Sequence, residues 1–399
     1  MTGGASNVTP RNEPLAGVVV LELGSFITGP YAGLLLADLG ATVIKIERPE
    51  GDPFRAFRGG QYSPNFVGYN RNKRSVKLDL SSASEREAFL QMVDRADVVL
   101  ENFRPGVLDK LGLGWDVLRE RNARLVYCAI AGFPPGSESE NRPAFDAIGQ
   151  AQSGMLNAFL DPANPQVRGP TIADQVAGMY ACYGVLGALA GRTHDGGGRR
   201  VDVNMVETAM SFMPDFFASY TREGTLMEST TRAAYSHTFA FRCADGEMVG
   251  VQLSSPEKFW IALTRAVKAP ELASDERFRT RAARTANFDE LTTVLRAYFA
   301  AEPRDYWLKA LVDADVPHSA VRRVDEVLND PELQRAGTFR KLTHPQMGEV
   351  TCIERPVLFD GARARTRHAP PLLGEHTEEV LRELGIDTAL VSAGHTSKN

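Results

Sequence analysis

Residues 18–47 read VVVLELGSFITGPYAGLLLADLGATVIKIE, and the reading of this stretch decides the fold. VVVLEL (18–23) is a short apolar run with β-branched residues, the pattern of a strand buried on both faces. GPYAGLLLADLG (29–40) has the length and composition of a helix, and ATVIKIE (41–47) of a second strand. Strand, helix and strand in so short a span make a βαβ unit, whose two strands run parallel.

Working outward, the unit recurs. SVKLDL (75–80) is a strand, ASEREAFLQMVDRA (83–96) an amphipathic helix, DVVLENF (97–103) a strand. Short helices are expected over 106–121, then a strand in ARLVYCAIAGF (123–133). This alternation predicts an α/β fold, a parallel sheet covered by helices on both faces. HDGGGRR (194–200) is a turn leading into VDVNMVE, and then the pattern changes. Residues 234–253 form a hairpin about Asp245-Gly246, followed by amphipathic helices at 255–269, 287–301 and 303–315. The expected organisation is a large domain over 14–225, a smaller α+β domain over 226–340 and a C-terminal segment over 341–399. That segment holds a turn and helix at 370–385. Residues 1–13 are polar and expected to be disordered.

Composition narrows the function. A hydrophobic content of 43% in 399 residues is enough for a sizeable core in two or three domains. A net charge of −5 argues against a nucleic-acid partner. The apolar runs fall short of the roughly 18 residues that span a bilayer, and no basic-then-apolar leader opens the chain, so neither a membrane nor secretion is expected. Cys128, Cys182, Cys243 and Cys352 are far apart, and no histidine spacing accompanies them. A reduced, cytoplasmic protein without a metal site follows.

The turn of the first unit, GSFITGP, has Gly24 and Gly29 but no glycine at position 26. It matches the dinucleotide fingerprint only in part, and although Glu47 stands where a ribose-binding acid would, nicotinamide binding is not expected. Arg48, Arg55, Arg58, Arg71, Lys73 and Arg74 follow strand ends, where a multiply phosphorylated ligand would meet them. In ENFRPGVLDK (101–110), Asn102 and Phe103 end a strand and a helix begins beside them. The segment GPTIADQVAGMYACYGVLGALAGR (169–192) carries one acid, Asp174, and no further charge until Arg192. From the residues alone two roles stay open, a helix N-cap and a nucleophile. Ala177, Gly178, Ala181 and Gly184 leave room for close approach behind it.

PLAGVVVLELGSFITGPYAGLLLADLGATVIKIERPEGDPFR, NRNKRSVKLDL, ENFRPGVLDKLGLGWDVL and PPLLGEHTEEVLRELG together resemble the class III coenzyme A transferase family. That family includes formyl-CoA transferase and crotonobetaine/carnitine CoA-transferases, with 2-methylacyl-CoA racemases in the same superfamily. The resemblance runs from about Pro14 to Gly385. It implies an interlocked homodimer with a Rossmann-like large domain, to which the C-terminal segment returns. It implies acyl-CoA and a carboxylic acid as substrates, with no permanently bound cofactor. Asp174, in ADQVAGM, matches the family's catalytic aspartate, which attacks the thioester and then carries CoA as an aspartyl thioester. Ser25, Phe26, Thr28, Arg48, Asn102, Phe103 and Lys110 match CoA-site positions, with Phe145 and Asp146 beside them. His376 in LLGEH is a motif residue of structural character.

The branch of the superfamily is read at 142–154, RPAFDAIGQAQSG. Racemases carry a histidine before the aspartate, and here Phe145 precedes Asp146. A phenyl ring moves no proton, so transfer is favoured and racemase-type isomerisation is the alternative. Formyl-CoA transferase has a glutamine where Ile27 stands, a tyrosine at Phe145 and a glutamate at Asp146. Those departures argue against a formyl/oxalate pair and for a larger or less polar acid.

Overall fold

A computed structural model describes residues 13–392 of the chain. Apart from Glu13, the polar stretch read as disordered lies outside the described residues. The chain divides into two compact units. The larger comprises 1–156, 169–214 and 334–399, and the smaller comprises 157–168 and 215–333. The sequence had placed the borders at 225/226 and 340/341, without the short 157–168 excursion.

The larger unit is built on six strands, β1 (Val19–Glu22), β2 (Thr42–Glu47), β3 (Lys73–Lys77), β4 (Val98–Glu101), β5 (Val126–Ala131) and β6 (Arg199–Asn204). They lie in the order β3-β2-β1-β4-β5-β6, every pair parallel. This is the doubly wound order, with its switch point between β1 and β4. The expected α/β fold with a parallel sheet is present. Leu21, Ile44, Val76 and Val99 are buried on the sheet, packed with Phe89 and Met92 of the Ala83–Val93 helix. On the expected strand 75–80 the registers differ: β3 starts at Lys73, because Val43 pairs with Lys73 and Glu47 with Lys77. Lys73 therefore lies at the amino end of its strand, not at the ligand-facing end.

Helix Ile172–Asp195 crosses behind the sheet and packs on helix Thr28–Asp38. Glycine is required at the crossing: a Cβ on Gly178 would lie 2.8 Å from the Thr28 carbonyl oxygen and 3.1 Å from the Tyr31 ring. One turn and a half further on, a Cβ on Gly184 would lie 2.6 Å from Val201 of β6. Residues 366–377 run along the outer edge of β3. The Asn72 N–H donates to the His368 carbonyl, and the His376 N–H to the Ser75 carbonyl, both at 3.0 Å. The hairpin β10 (Phe339–His344) and β11 (Gly348–Ile353), which the sequence did not reveal, also belongs to this unit.

The smaller unit holds the antiparallel sheet β7 (Thr238–Arg242), β8 (Met248–Gln252) and β9 (His318–Ala320), in that order. β7 and β8 are the hairpin read about Asp245-Gly246, and Gly246 takes the positive φ its turn demands. Helices Glu257–Ala266, Phe288–Phe299 and Arg304–Asp313 supply Trp260, Leu295, Phe299 and Trp307 to its core.

Candidate active site

The switch point is closed by one side chain. Asn102, just after β4, accepts the Ser25 N–H at 2.9 Å. Its amide donates to the Ser25 carbonyl and to the Thr28 hydroxyl, both at 2.8 Å. These bonds lock the turn between β1 and the Thr28–Asp38 helix. Gly24 and Gly29 allow it: a Cβ on either would come within 2.9 Å of the other's Cα. Phe26, at the tip, has φ +61°, a left-handed conformation that costs a non-glycine residue energy. Asp52 holds it there, accepting the Phe26 N–H at 3.2 Å and the Phe54 N–H at 2.9 Å.

A buried ion cluster lies beneath. Lys45 meets Glu22 at 3.0 Å and Asp52 at 2.9 Å, and Lys73 meets Glu22 at 2.7 Å. Burial opposes the charge on Lys45, but Asp52 and Glu22 outweigh it and hold its pKa above the ordinary value. Gly33 makes the space, since a Cβ there would collide with the Glu22 carboxylate.

At the carboxyl ends of β1, β2 and β3 opens a cleft of about 410 Å³. Ser25, Phe26, Arg48 and Phe103, all expected at a CoA site, line it, with Leu80 and Ser81. The exposed Arg48 donates to the Gly51 carbonyl and lies 3.7 Å from Glu50. Thr28 and Asn102 are spent on the turn itself. Lys110 is exposed at the end of the short Val107–Lys110 helix, next to Leu111, which reaches the cleft.

Four of the other expected cations are committed elsewhere, which corrects the reading of a phosphate-binding cluster, while Arg58 is exposed. Arg55 pairs with Glu47 at 2.6 Å, Arg71 with Asp38, Lys73 with Glu22, and Arg74 with Glu379 and Glu383. Glu47 is spent too. It accepts from Arg55, Ser75 and the Asp52 N–H, and so holds no ribose. His376 accepts the Ser75 N–H on Nδ1 and begins the Thr377–Glu383 helix.

Phe26 joins the cleft to the second part of the site. Its ring stands edge-on to Phe145 at 5.7 Å. Phe145 precedes helix Asp146–Gln152, whose first residue accepts the Asp174 N–H at 3.2 Å on Oδ1 and the Gln150 amide at 2.6 Å on Oδ2. Asp174 is not the N-cap that one reading of the sequence expected. Thr171 occupies that position, and Asp174 lies in the first turn, two residues inside the helix start at Ile172. Its carboxylate accepts no hydrogen bond from the described residues, and the residue is 9% exposed. Burial, with the Asp146 charge added, pushes its pKa up to about 7.

A desolvated, unpartnered carboxylate is a poor structural element and a competent nucleophile, since no donor has to be displaced before it attacks. Its place in the first helical turn adds the positive end of the helix dipole. Sequence reasoning did not find Lys45, Asp52 or Glu101. The signal was a glutamate closing β1, β2 and β4 alike: Glu22, Glu47 and Glu101. Glu101 accepts the Phe103 N–H at 2.7 Å and the Tyr127 hydroxyl at 3.1 Å, and burial lifts its pKa to about 7.

The family model described as CoA-transferase family III matches residues 15–377. The chain belongs to CoA-transferase family III. Among its relatives, the succinyl-CoA:mesaconate CoA-transferase of Haloarcula hispanica is 33% identical over 387 residues, covering 92% of this chain and 96% of the relative. The succinyl-CoA–D-citramalate CoA-transferase of Chloroflexus aurantiacus is 31% identical, covering 95% and 96%. Among solved structures, a CaiB/BaiF family protein from Brucella suis superposes with a TM-score of 0.83 at 31% identity, covering 94% of this chain and all of that one. A family III CoA-transferase is an enzyme of acyl-CoA thioesters.

Proposed function

We propose that this enzyme moves CoA from an acyl-CoA donor to a carboxylic acid through an aspartyl-CoA thioester on Asp174. A carboxylate oxygen of Asp174 attacks the donor carbonyl and expels CoA thiolate, leaving a mixed anhydride. The thiolate attacks the aspartyl carbonyl and releases the donor acid. The acceptor carboxylate then attacks the aspartyl thioester, the thiolate leaves again, and its attack on the acceptor's acyl carbon regenerates Asp174. Every bond made is matched by one broken, and no cofactor enters.

The observation that carries this reading is the buried Asp174 carboxylate with no donor on it, joined to the cleft through Asp146, Phe145 and Phe26. In the cleft Arg48 faces the phosphates of CoA and Phe103 its apolar arm, with Lys110 at the outer end. Asp146 lacks the preceding histidine of the racemases, so exchange at the α-carbon is without that proton carrier. Four free, buried cysteines fit a reducing, cytoplasmic setting. A homodimer belongs to the same proposal, supported by the exposed Met179, Tyr180 and Tyr183 on the Ile172–Asp195 helix.

Intact-protein mass spectrometry after mixing with a panel of acyl-CoA donors tests it. The expected result is one added CoA on the peptide containing Asp174, absent from Asp174→Ala. CoA binding without any adduct across the panel overturns it.

A further inference from the structure

Four phenyl rings form a row that ends at Phe145, the residue before the Asp146 that bonds Asp174. Phe57 and Phe54 stand 5.1 Å apart, Phe54 and Phe26 5.2 Å, and Phe26 and Phe145 5.7 Å. The two end rings are open to solvent, Phe57 at 61% and Phe145 at 62%, and Ile148 is exposed one turn beyond Phe145. Ile27 and Phe66 are buried with Phe54 of the row. Phe145 is adjacent in sequence to Asp146, whose carboxylate bonds the Asp174 backbone. The row thus ends one residue from the side chain that contacts Asp174.

The charges around that position are as telling. Asp146 is the charged neighbour that bears on the Asp174 carboxylate, and it is negative. Several cations of the surrounding elements are turned to other partners. Arg55 holds Glu47, Arg71 holds Asp38, and Lys45 and Lys73 hold Glu22. Arg142, three residues before Phe145, lies over the Phe133 ring at 5.6 Å and donates to Ser139. A second carboxylate on the acyl group would meet the Asp146 charge here, while the exposed Arg48 lines the cleft and the exposed Arg58 follows Phe57, the ring at the far end of the row. An aromatic body would add an edge to the ring row.

Resting on the Asp174 reading above, we infer that the acyl group handled beside Asp174 belongs to an aromatic monocarboxylic acid. This separates the chain from its relatives named for mesaconate and citramalate, both dicarboxylic acids.

The test follows CoA loading of the full-length enzyme by quenched intact mass, with phenylacetyl-CoA and succinyl-CoA at equal, sub-saturating concentration. Phenylacetyl-CoA is expected to load at least tenfold faster. Phe145→Ala should bring that ratio close to one, and Phe145→Tyr, which keeps the ring, should preserve it. Loading by succinyl-CoA as fast or faster overturns the inference while leaving the aspartyl thioester intact. So does an unmoved ratio in Phe145→Ala, and a changed oligomeric state beside it would assign the ring to a contact between copies. Loading from neither donor nor from acetyl-CoA sinks the Asp174 reading itself.

Discussion

On the proposed mechanism, Asp174 sets the pH response of the first half-reaction. Only the ionised carboxylate attacks, and burial has moved its pKa from the usual carboxylate range up to about 7. The ionised fraction therefore falls with acidity: at pH 5 it is about a hundredth of the plateau, and above pH 8 it is nearly complete. Single-turnover loading of CoA, measured from pH 5 to 9, should rise tenfold per pH unit and level off near 7. A profile flat down to pH 5 would mean that the carboxylate is not the desolvated group described. The same residue shows what a sequence hides. Its acid type and its neutral surroundings were legible, and so was a helix beginning near it. Its place inside the first turn was not, because Thr171 and Asp174 are both residue types that cap helices and the sequence does not choose between them.

At the scale of elements, the crossing of helices Thr28–Asp38 and Ile172–Asp195 makes opposite demands on glycines of one helix. Gly178→Ala gains about 1 kcal/mol of helix propensity but drives a Cβ against the Thr28 carbonyl, a collision that costs about 1–3 kcal/mol. Gly187→Ala meets nothing within 4 Å and keeps the gain. Urea denaturation should show Gly178→Ala less stable than the parent and Gly187→Ala more stable. Both variants stabilised would refute the close crossing. The βαβ repeat was readable here because buried parallel strands are continuous apolar runs, as in VVVLEL and DVVLENF. The hairpin β10–β11 was not, since its strands alternate weakly and carry Lys341, Glu349 and other exposed polar residues. The supposed phosphate cluster failed for a related reason. Sequence gives a cation's position on the chain but not its partner: Glu47 claims Arg55 from the loop that follows it, Asp38 at a helix end claims Arg71, and Glu22 on β1 claims Lys73 on β3.

At the scale of the whole molecule, the homodimer is the expectation with a direct measurement. The outward side chains Met179, Tyr180 and Tyr183, the last 73% exposed, form an apolar surface on one helix. Light scattering on the size-exclusion peak should give twice the mass of one chain, and a monomer at micromolar concentration would remove the dimer from the proposal. No helix among the described residues is long and apolar enough to cross a membrane.

The outer edge of β3 has a consequence for how the protein is made. Arg55 donates to the Pro371 carbonyl 316 residues away, and Tyr62 to that of Pro370. At ribosomal speeds of about 5–20 residues per second, those partners emerge roughly 15–60 s after Arg55 itself. The smaller unit is synthesised complete in the interval. The nascent larger unit meanwhile presents an unpaired strand edge and a half-satisfied arginine, the state in which a chain most needs a chaperone.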